Sequence, residues 1–174
     1  MVRNSVTSTK KRRVICMDKN FEDILGGRIK LIEILLIEDN LGDIRLTEEA
    51  LKESKLANNL NVVMDGVEAI DYLKKKEKYN NVITPDLILL DLNLPKKNGV
   101  EVLKEIKNDE LLKKIPVVIL STSKAEEDII RTYENFANCY VTKPVDFEQF
   151  SKVVKQIGEF WFGIVLLPSV VKTK

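Results

Sequence analysis

A doubly wound α/β sheet is the fold class this sequence predicts, on three observations. From residue 33 onward, strand-like and helix-like patterns alternate about five times, as expected of parallel strands joined by crossover helices. The runs Glu33-Ile-Leu-Leu-Ile37 and Asp86-Leu-Ile-Leu-Leu-Asp91 are short and almost wholly apolar, which suits strands buried on both faces. The first run is followed by the acidic pair Glu38-Asp39 and the second is closed by Asp91; parallel strands deliver the residues at their carboxyl ends to one shared edge.

The first strand covers Ile34 to Ile37. Asp43 to Lys55 is the first helix, with Ile44, Leu46, Ala50 and Leu51 near helical spacing and Glu48 and Glu49 in its early turns. Asn61 to Met64 is a short second strand, Asp65-Gly66 a turn, and Val67 to Lys75 a helix with Val67, Ile70 and Leu73 on one face. Its basic end, Lys74-Lys-Lys76, suits the negative pole of the helix dipole. Pro85 stands before the third strand, where its missing N–H does least harm to a ladder. After Asp91, Leu92 to Gly99 is a loop by its Pro and Gly content. Val100 to Asn108 is helical, with Val102, Leu103 and Ile106 inward. Pro116 opens the fourth strand, Val117-Val-Ile-Leu120, which runs into Ser121-Thr122-Ser123 and the helix Ala125 to Glu134. The fifth strand, Cys139-Tyr-Val141, ends at Thr142-Lys143-Pro144. Asp146 is the N-cap of a last helix that presents Phe147, Phe150, Val153, Val154 and Ile157.

Composition narrows the chemistry. The chain has 174 residues, room for one domain with extensions. Lys and Arg total 28 against 27 for Asp and Glu, a net charge of +1 that gives no global field for nucleic acid. The cluster Lys10-Lys-Arg-Arg13 lies in a Ser/Thr-rich segment and reads as a solvated arm. There is no His, so a histidine metal site, a histidine base and a phosphohistidine within this chain are all excluded. Cys16 and Cys139 are far apart and form no CxxC, which indicates neither zinc nor a disulfide framework. No stretch is apolar enough to span a bilayer and the basic N-terminal region has no apolar h-region, so a cytoplasmic protein without membrane attachment is expected.

In open sheets of this kind ligands bind beyond the carboxyl ends of the strands. Here four strand ends carry polar groups: Glu38-Asp39, Asp91, Ser121-Thr122 and Lys143. Clustered carboxylates raise one another's pKa, and a divalent cation relieves that repulsion. All-oxygen ligands favour a hard ion such as Mg2+, with Mn2+ a possible substitute. Acids, hydroxyl and lysine together can hold and stabilise a phosphoryl group.

The acidic pair, Asp91 before Leu-x-Leu-Pro, Ser/Thr at the fourth strand end and Lys143-Pro144 at the fifth stand in the order and approximate spacing of the receiver domain of two-component response regulators. Residues 32–158 resemble that family. The wording Ile-Glu-Asp-Asn followed by Asp43-Ile-Arg, with the tail Glu159-Phe-Trp-Phe-Gly-Ile-Val-Leu-Leu-Pro168, is most similar to the single-domain regulators paired with cyanobacterial phytochromes and their archaeal relatives. The resemblance implies a flavodoxin-like five-stranded sheet of order 2-1-3-4-5, flanked by extensions at 1–31 and 159–174. It also implies a phosphoacceptor signalling protein rather than an enzyme, one that assists its own phosphotransfer and dephosphorylation and whose partner is a sensor histidine kinase, phytochrome-like or otherwise sensory.

Carried over by position, Asp91 is the phosphoacceptor. Asp39 and Asp91 hold Mg2+ through carboxylates, Asn93 through its backbone carbonyl and Glu38 through a coordinated water, because the family often has Asp where Glu38 stands. Lys143 contacts the phosphoryl oxygens. Ser121, with Thr122 beside it, is the switch hydroxyl; Tyr140 is the aromatic switch residue expected to move from exposed to buried. Pro144 is expected to follow a cis peptide bond that aims Lys143.

Only about 16 residues follow the last helix, too few for a DNA-binding or catalytic output domain, so output by docking is expected. Phe160, Trp161, Phe162, Leu166 and Leu167 make a dense apolar tail, the mark of an interface, and a homodimer is the first expectation, the alternative being a tail folded back on its own domain. Three other functions compete. An aspartate-nucleophile phosphatase would place an acid two residues after Asp91, where Asn93 stands. A nucleotide-binding module would need a Gly-rich fingerprint or Walker loop, which is missing. A receiver-like scaffold that works without phosphorylation would have no need of the retained acids and Lys143.

Overall fold

The computed structural model describes residues 31–53, 57–165 and 167. The expected N-terminal arm, the end of the first helix at Lys55, and Leu166 lie outside the described residues. Strands and helices alternate: β1 (Ile32–Ile37), α1 (Leu41–Glu53), β2 (Asn58–Val63), α2 (Gly66–Leu73), a 3-10 turn (Glu77–Tyr79), β3 (Leu87–Asp91), α3 (Gly99–Asn108), β4 (Val117–Ser121), α4 (Glu126–Glu134), β5 (Cys139–Thr142) and α5 (Phe147–Gly163). The five strands form one sheet of order β2-β1-β3-β4-β5, parallel at every pairing. This is the predicted architecture.

Each strand sends successive side chains to opposite faces, and two apolar layers result. Leu35, Ile37, Ile88, Leu90, Val117 and Ile119 pack with α2 and α3. Ile34, Leu36, Leu87, Leu89, Val118 and Leu120 pack with α1 and α5. Every residue of β3 and β4 is buried, which explains their unbroken apolar runs. Register then brings the strand ends to one rim: Ile37 pairs with Val63 and Leu90, Asp91 with Leu120, and Ser121 with Thr142.

Caps fix the helix starts. Asp65 accepts a hydrogen bond from the Glu68 N–H, Asp146 accepts one from Gln149, and Asn98 and Glu101 form a reciprocal capping box. Several boundaries differ from the sequence expectation, and three of the differences have a clear local setting. β2 begins at Asn58, not Asn61, because Glu33 accepts hydrogen bonds from the Asn59 and Asn61 side chains and ties the polar start of this edge strand to β1. α2 ends at Leu73, since Lys75 takes a left-handed φ of 54°; the basic cluster lies past the last turn rather than in it. α5 continues to Gly163, so residues 159–163, assigned to the tail, are helical. Phe162 keeps step with Phe150, Val154 and Ile157 and is buried with them against α1 residues, which holds the extra turn in place.

Candidate functional site

Glu38 emerges from β1 with its N–H donating to the Val63 carbonyl and its side chain buried. Its Oε1 accepts the Asn40 N–H at 3.1 Å, and Asn40 Oδ1 in turn accepts the N–H groups of Gly42 and Asp43 at 2.8 and 3.2 Å. That turn starts α1 at Leu41 and brings Asp43 back over the strand ends. Asp91 closes β3, 6% exposed, with Oδ1 accepting the Asn93 N–H at 3.2 Å. Behind it, Gly99 donates its N–H to the Leu92 carbonyl at 2.9 Å, and a Cβ on Gly99 would lie 2.2 Å from the Asp91 carbonyl oxygen. Only glycine lets the loop pass this close to the acid.

Lys143 arrives from β5, its N–H donating to the Ser121 carbonyl at 2.8 Å. Its Nζ donates to Glu38 Oε2 at 2.5 Å, Asp91 Oδ2 at 2.8 Å and Asp43 Oδ2 at 2.9 Å. An ammonium has three hydrogens, and all three are used. Burial disfavours the charge on Lys143, but hydrogen bonds to Asp91 and Glu38 outweigh it and lift its pKa above the ordinary lysine value. Burial likewise pushes Glu38 up, to about 7, with Lys143 opposing and Asp91 adding to the rise. Glu38 is thus the acid whose charge is costly without a second cation.

Carboxylate oxygens of Glu38, Asp39 and Asp91 lie within 4.8 Å of one another. Asp39 is exposed and is not among the three acids that Lys143 contacts. An all-oxygen set, one member open to water, fits a hard divalent ion.

The structure therefore brings Glu38, Asp39, Asp91 and Lys143 together. Ser121 is fully buried at the same rim, its Oγ accepting the Ser123 N–H at 3.2 Å. Thr122 and Asn93 are exposed on the adjoining loops. Tyr140 is half-buried against the α2/α3 layer, with its hydroxyl donating to the Ser123 carbonyl at 2.9 Å. The bond before Pro144 is a correction: it is trans, as is every peptide bond among the described residues. Trans is the ordinary state, and here three carboxylates aim the Lys143 ammonium. Phe162 is a second correction, because a side chain 8% exposed inside its own core is not a docking residue. Trp161 and Leu167 pack partly against the same layer, whereas Phe160 is half exposed and meets Trp161 edge-on.

Asp43 joins the site through Lys143, although in the sequence it marks only a helix start and part of the family resemblance, with no role at the strand ends. The signal was its spacing: an acid four residues after Asp39, with Asn40 between them as a helix-starting residue, returns to the strand ends.

The chain matches the family model for the response regulator receiver domain over residues 34–155. It is 48% identical over 136 residues to Response regulator Rcp1 of Synechocystis sp., covering 78% of this chain and 92% of that protein. The crystal structure of the phosphorylated cyanobacterial phytochrome response regulator RcpA aligns with a TM-score of 0.79 and 51% identity, over 80% of this chain and all of RcpA. The Mn2+-bound form of Rcp1 aligns with a TM-score of 0.77 and 47% identity, over 79% of this chain and 99% of that one.

Proposed function

This chain belongs to the response regulator receiver family of two-component systems, and from that premise we propose that Asp91 accepts a phosphoryl group from a sensor histidine kinase in the cytoplasm. One observation carries the assignment: of the two acids that both face the Lys143 ammonium and share the oxygen cluster, Glu38 and Asp91, only Asp91 closes the central strand β3, the position of the family's phosphoacceptor. The Asp91 carboxylate forms the new bond to phosphorus while the bond from phosphorus to the donor breaks. Asp39, Asp91, the Asn93 carbonyl and, through water, Glu38 would hold Mg2+, which when bound supplies positive charge to the phosphoryl oxygens. Lys143 keeps its proton and turns from carboxylate to phosphoryl oxygens, stabilising developing negative charge. Ser121 then donates its hydroxyl to the phosphoryl group, releasing the Ser123 N–H that it now accepts. That releases the segment on which Tyr140 rests, since the Tyr140 hydroxyl bonds the Ser123 carbonyl. Output is a population shift on the face made by α4, β5 and α5.

Likeness to RcpA at 51% identity supports a phytochrome-linked kinase as donor. Homodimerisation through the outer side of α5 is supported by Phe160 and Ile164, which are 50% and 74% exposed, next to Trp161; an unchanged monomer in sedimentation at high micromolar concentration, with and without phosphorylation, would remove it. The acceptor itself is tested by intact mass after incubation with acetyl phosphate and Mg2+. A labile phosphoryl adduct that is lost in Asp91→Asn supports the reading. No adduct, under conditions that label a control receiver, would mean a scaffold instead.

A further inference from the structure

We propose that Asp43 is a positioning residue that competes with the phosphoryl group for Lys143 and so sets how readily Asp91 is charged. The proposal rests on the phosphoacceptor reading above. Its basis is a shortage of hydrogens. Lys143 Nζ has three to give, and Glu38, Asp91 and Asp43 take all of them, so a phosphoryl oxygen can be contacted only after one carboxylate lets go.

The three partners are not equivalent. Glu38 and Asp91 belong to the cluster whose oxygens lie within 4.8 Å, together with Asp39, and a bound cation would replace what Lys143 gives them. Asp43 lies outside that cluster, and nothing among the described contacts would replace Lys143 for it. Its side chain is 28% exposed, against 2% for Glu38 and 8% for Asp91, so water can solvate it when it is left. Asp43 also stands on the first turn of α1, fixed by the Asn40 side chain accepting its N–H. It is therefore a held, partly hydrated anion one hydrogen bond from the group that must greet an incoming dianion. It opposes that dianion twice, by occupying Lys143 and by its own charge. The α1 to β5 link it makes is independent of the acceptor strand.

The reaction that reads this out is simple in its balance. An Asp91 carboxylate oxygen forms a bond to the phosphorus of acetyl phosphate, the bond from phosphorus to the bridging oxygen breaks, and acetate leaves with the electron pair; Lys143 donates hydrogen bonds and transfers no proton. With the full-length chain and saturating Mg2+, adduct formation is followed by intact mass against acetyl phosphate concentration in wild type, Asp43→Asn and Asp43→Glu, with urea midpoints measured on the same samples without metal. Asp43→Asn is expected to lower the half-saturating acetyl phosphate concentration about fivefold, the effect of removing one partly solvated like charge, with the maximal rate changed less. Asp43→Glu is expected to restore wild-type behaviour. A merely structural role would shift the urea midpoint and leave the half-saturating concentration where it is. Equal half-saturating concentrations in wild type and Asp43→Asn, with an adduct in both, overturn this inference alone. Absence of an adduct in wild type overturns it together with the phosphoacceptor reading.

Discussion

Lys143 is held by three acids at a depth where only 4% of its side chain meets solvent, and the consequences of removing it are unequal with pH. Lys143→Met leaves Glu38 and Asp91 buried without their cation, a loss of about 3–5 kcal/mol for a broken buried pair. Urea unfolding near neutral pH should show that loss, and it should shrink in mildly acidic buffer, where Glu38 takes up a proton. Glu38 also makes metal binding depend on pH. Its pKa rises on folding from 4.5 to about 7, so between those values the folded chain binds more protons than the unfolded one. The stability Glu38 contributes is fully present below 4.5 and is lost as pH rises through 7. A cation must displace that proton, so Mg2+ affinity should weaken from about pH 8 to about pH 6. Calorimetry in buffers of different ionisation heat should record proton release on binding; none would mean that Glu38 is already ionised in the free protein. Of these residues, Glu38, Asp39, Asp91 and Lys143 were legible in the sequence because each ends a strand. Asp43 was not, because it reaches the rim from a helix turn whose direction depends on the Asn40 side chain.

At the scale of elements, strands β1, β3 and β4 were readable from apolar runs too short for helices, and caps at Asp65, Asn98 and Asp146 mark helix starts in the structure. β2 was only half visible: an edge strand with asparagines at its start has little strand propensity, and the hydrogen bonds from Asn59 and Asn61 to Glu33 come from a partner 26 and 28 residues away. The β3–α3 loop carries a constraint that composition alone does not show. Because a Cβ at position 99 would lie 2.6 Å from Leu92 Cα as well as 2.2 Å from the Asp91 carbonyl, Gly99→Ala should cost about 1–3 kcal/mol. It should also slow adduct formation by moving the backbone that carries Asp91. A Gly99→Ala variant with a wild-type urea midpoint and wild-type labelling rate would show that the loop yields freely.

For the molecule as a whole, the sheet order followed from family resemblance and the two-layer core from strand alternation, while the place where the domain ends did not. The segment after residue 158 reads as a separate apolar tail because Phe160 to Leu167 carries no polar side chain, which hides the one face that continues the helix. Phe162 belongs to the core and Phe160 to the surface, so the two should part clearly on truncation. Phe162→Ala should lose about 3–5 kcal/mol, and Phe160→Ala should stay within about 0.5 kcal/mol in the monomer while weakening self-association measured by sedimentation. Successive strand residues face opposite layers, so Asp91 keeps step with Leu87 and Leu89 on the α1/α5 side, whereas Ser121 keeps step with Val117 and Ile119 on the other. Elsewhere β3 and β4 form a solid partition of packed apolar side chains. News of a chemical event at the acceptor therefore has a short way into the opposite compartment, over the lip where these two neighbouring strands stop.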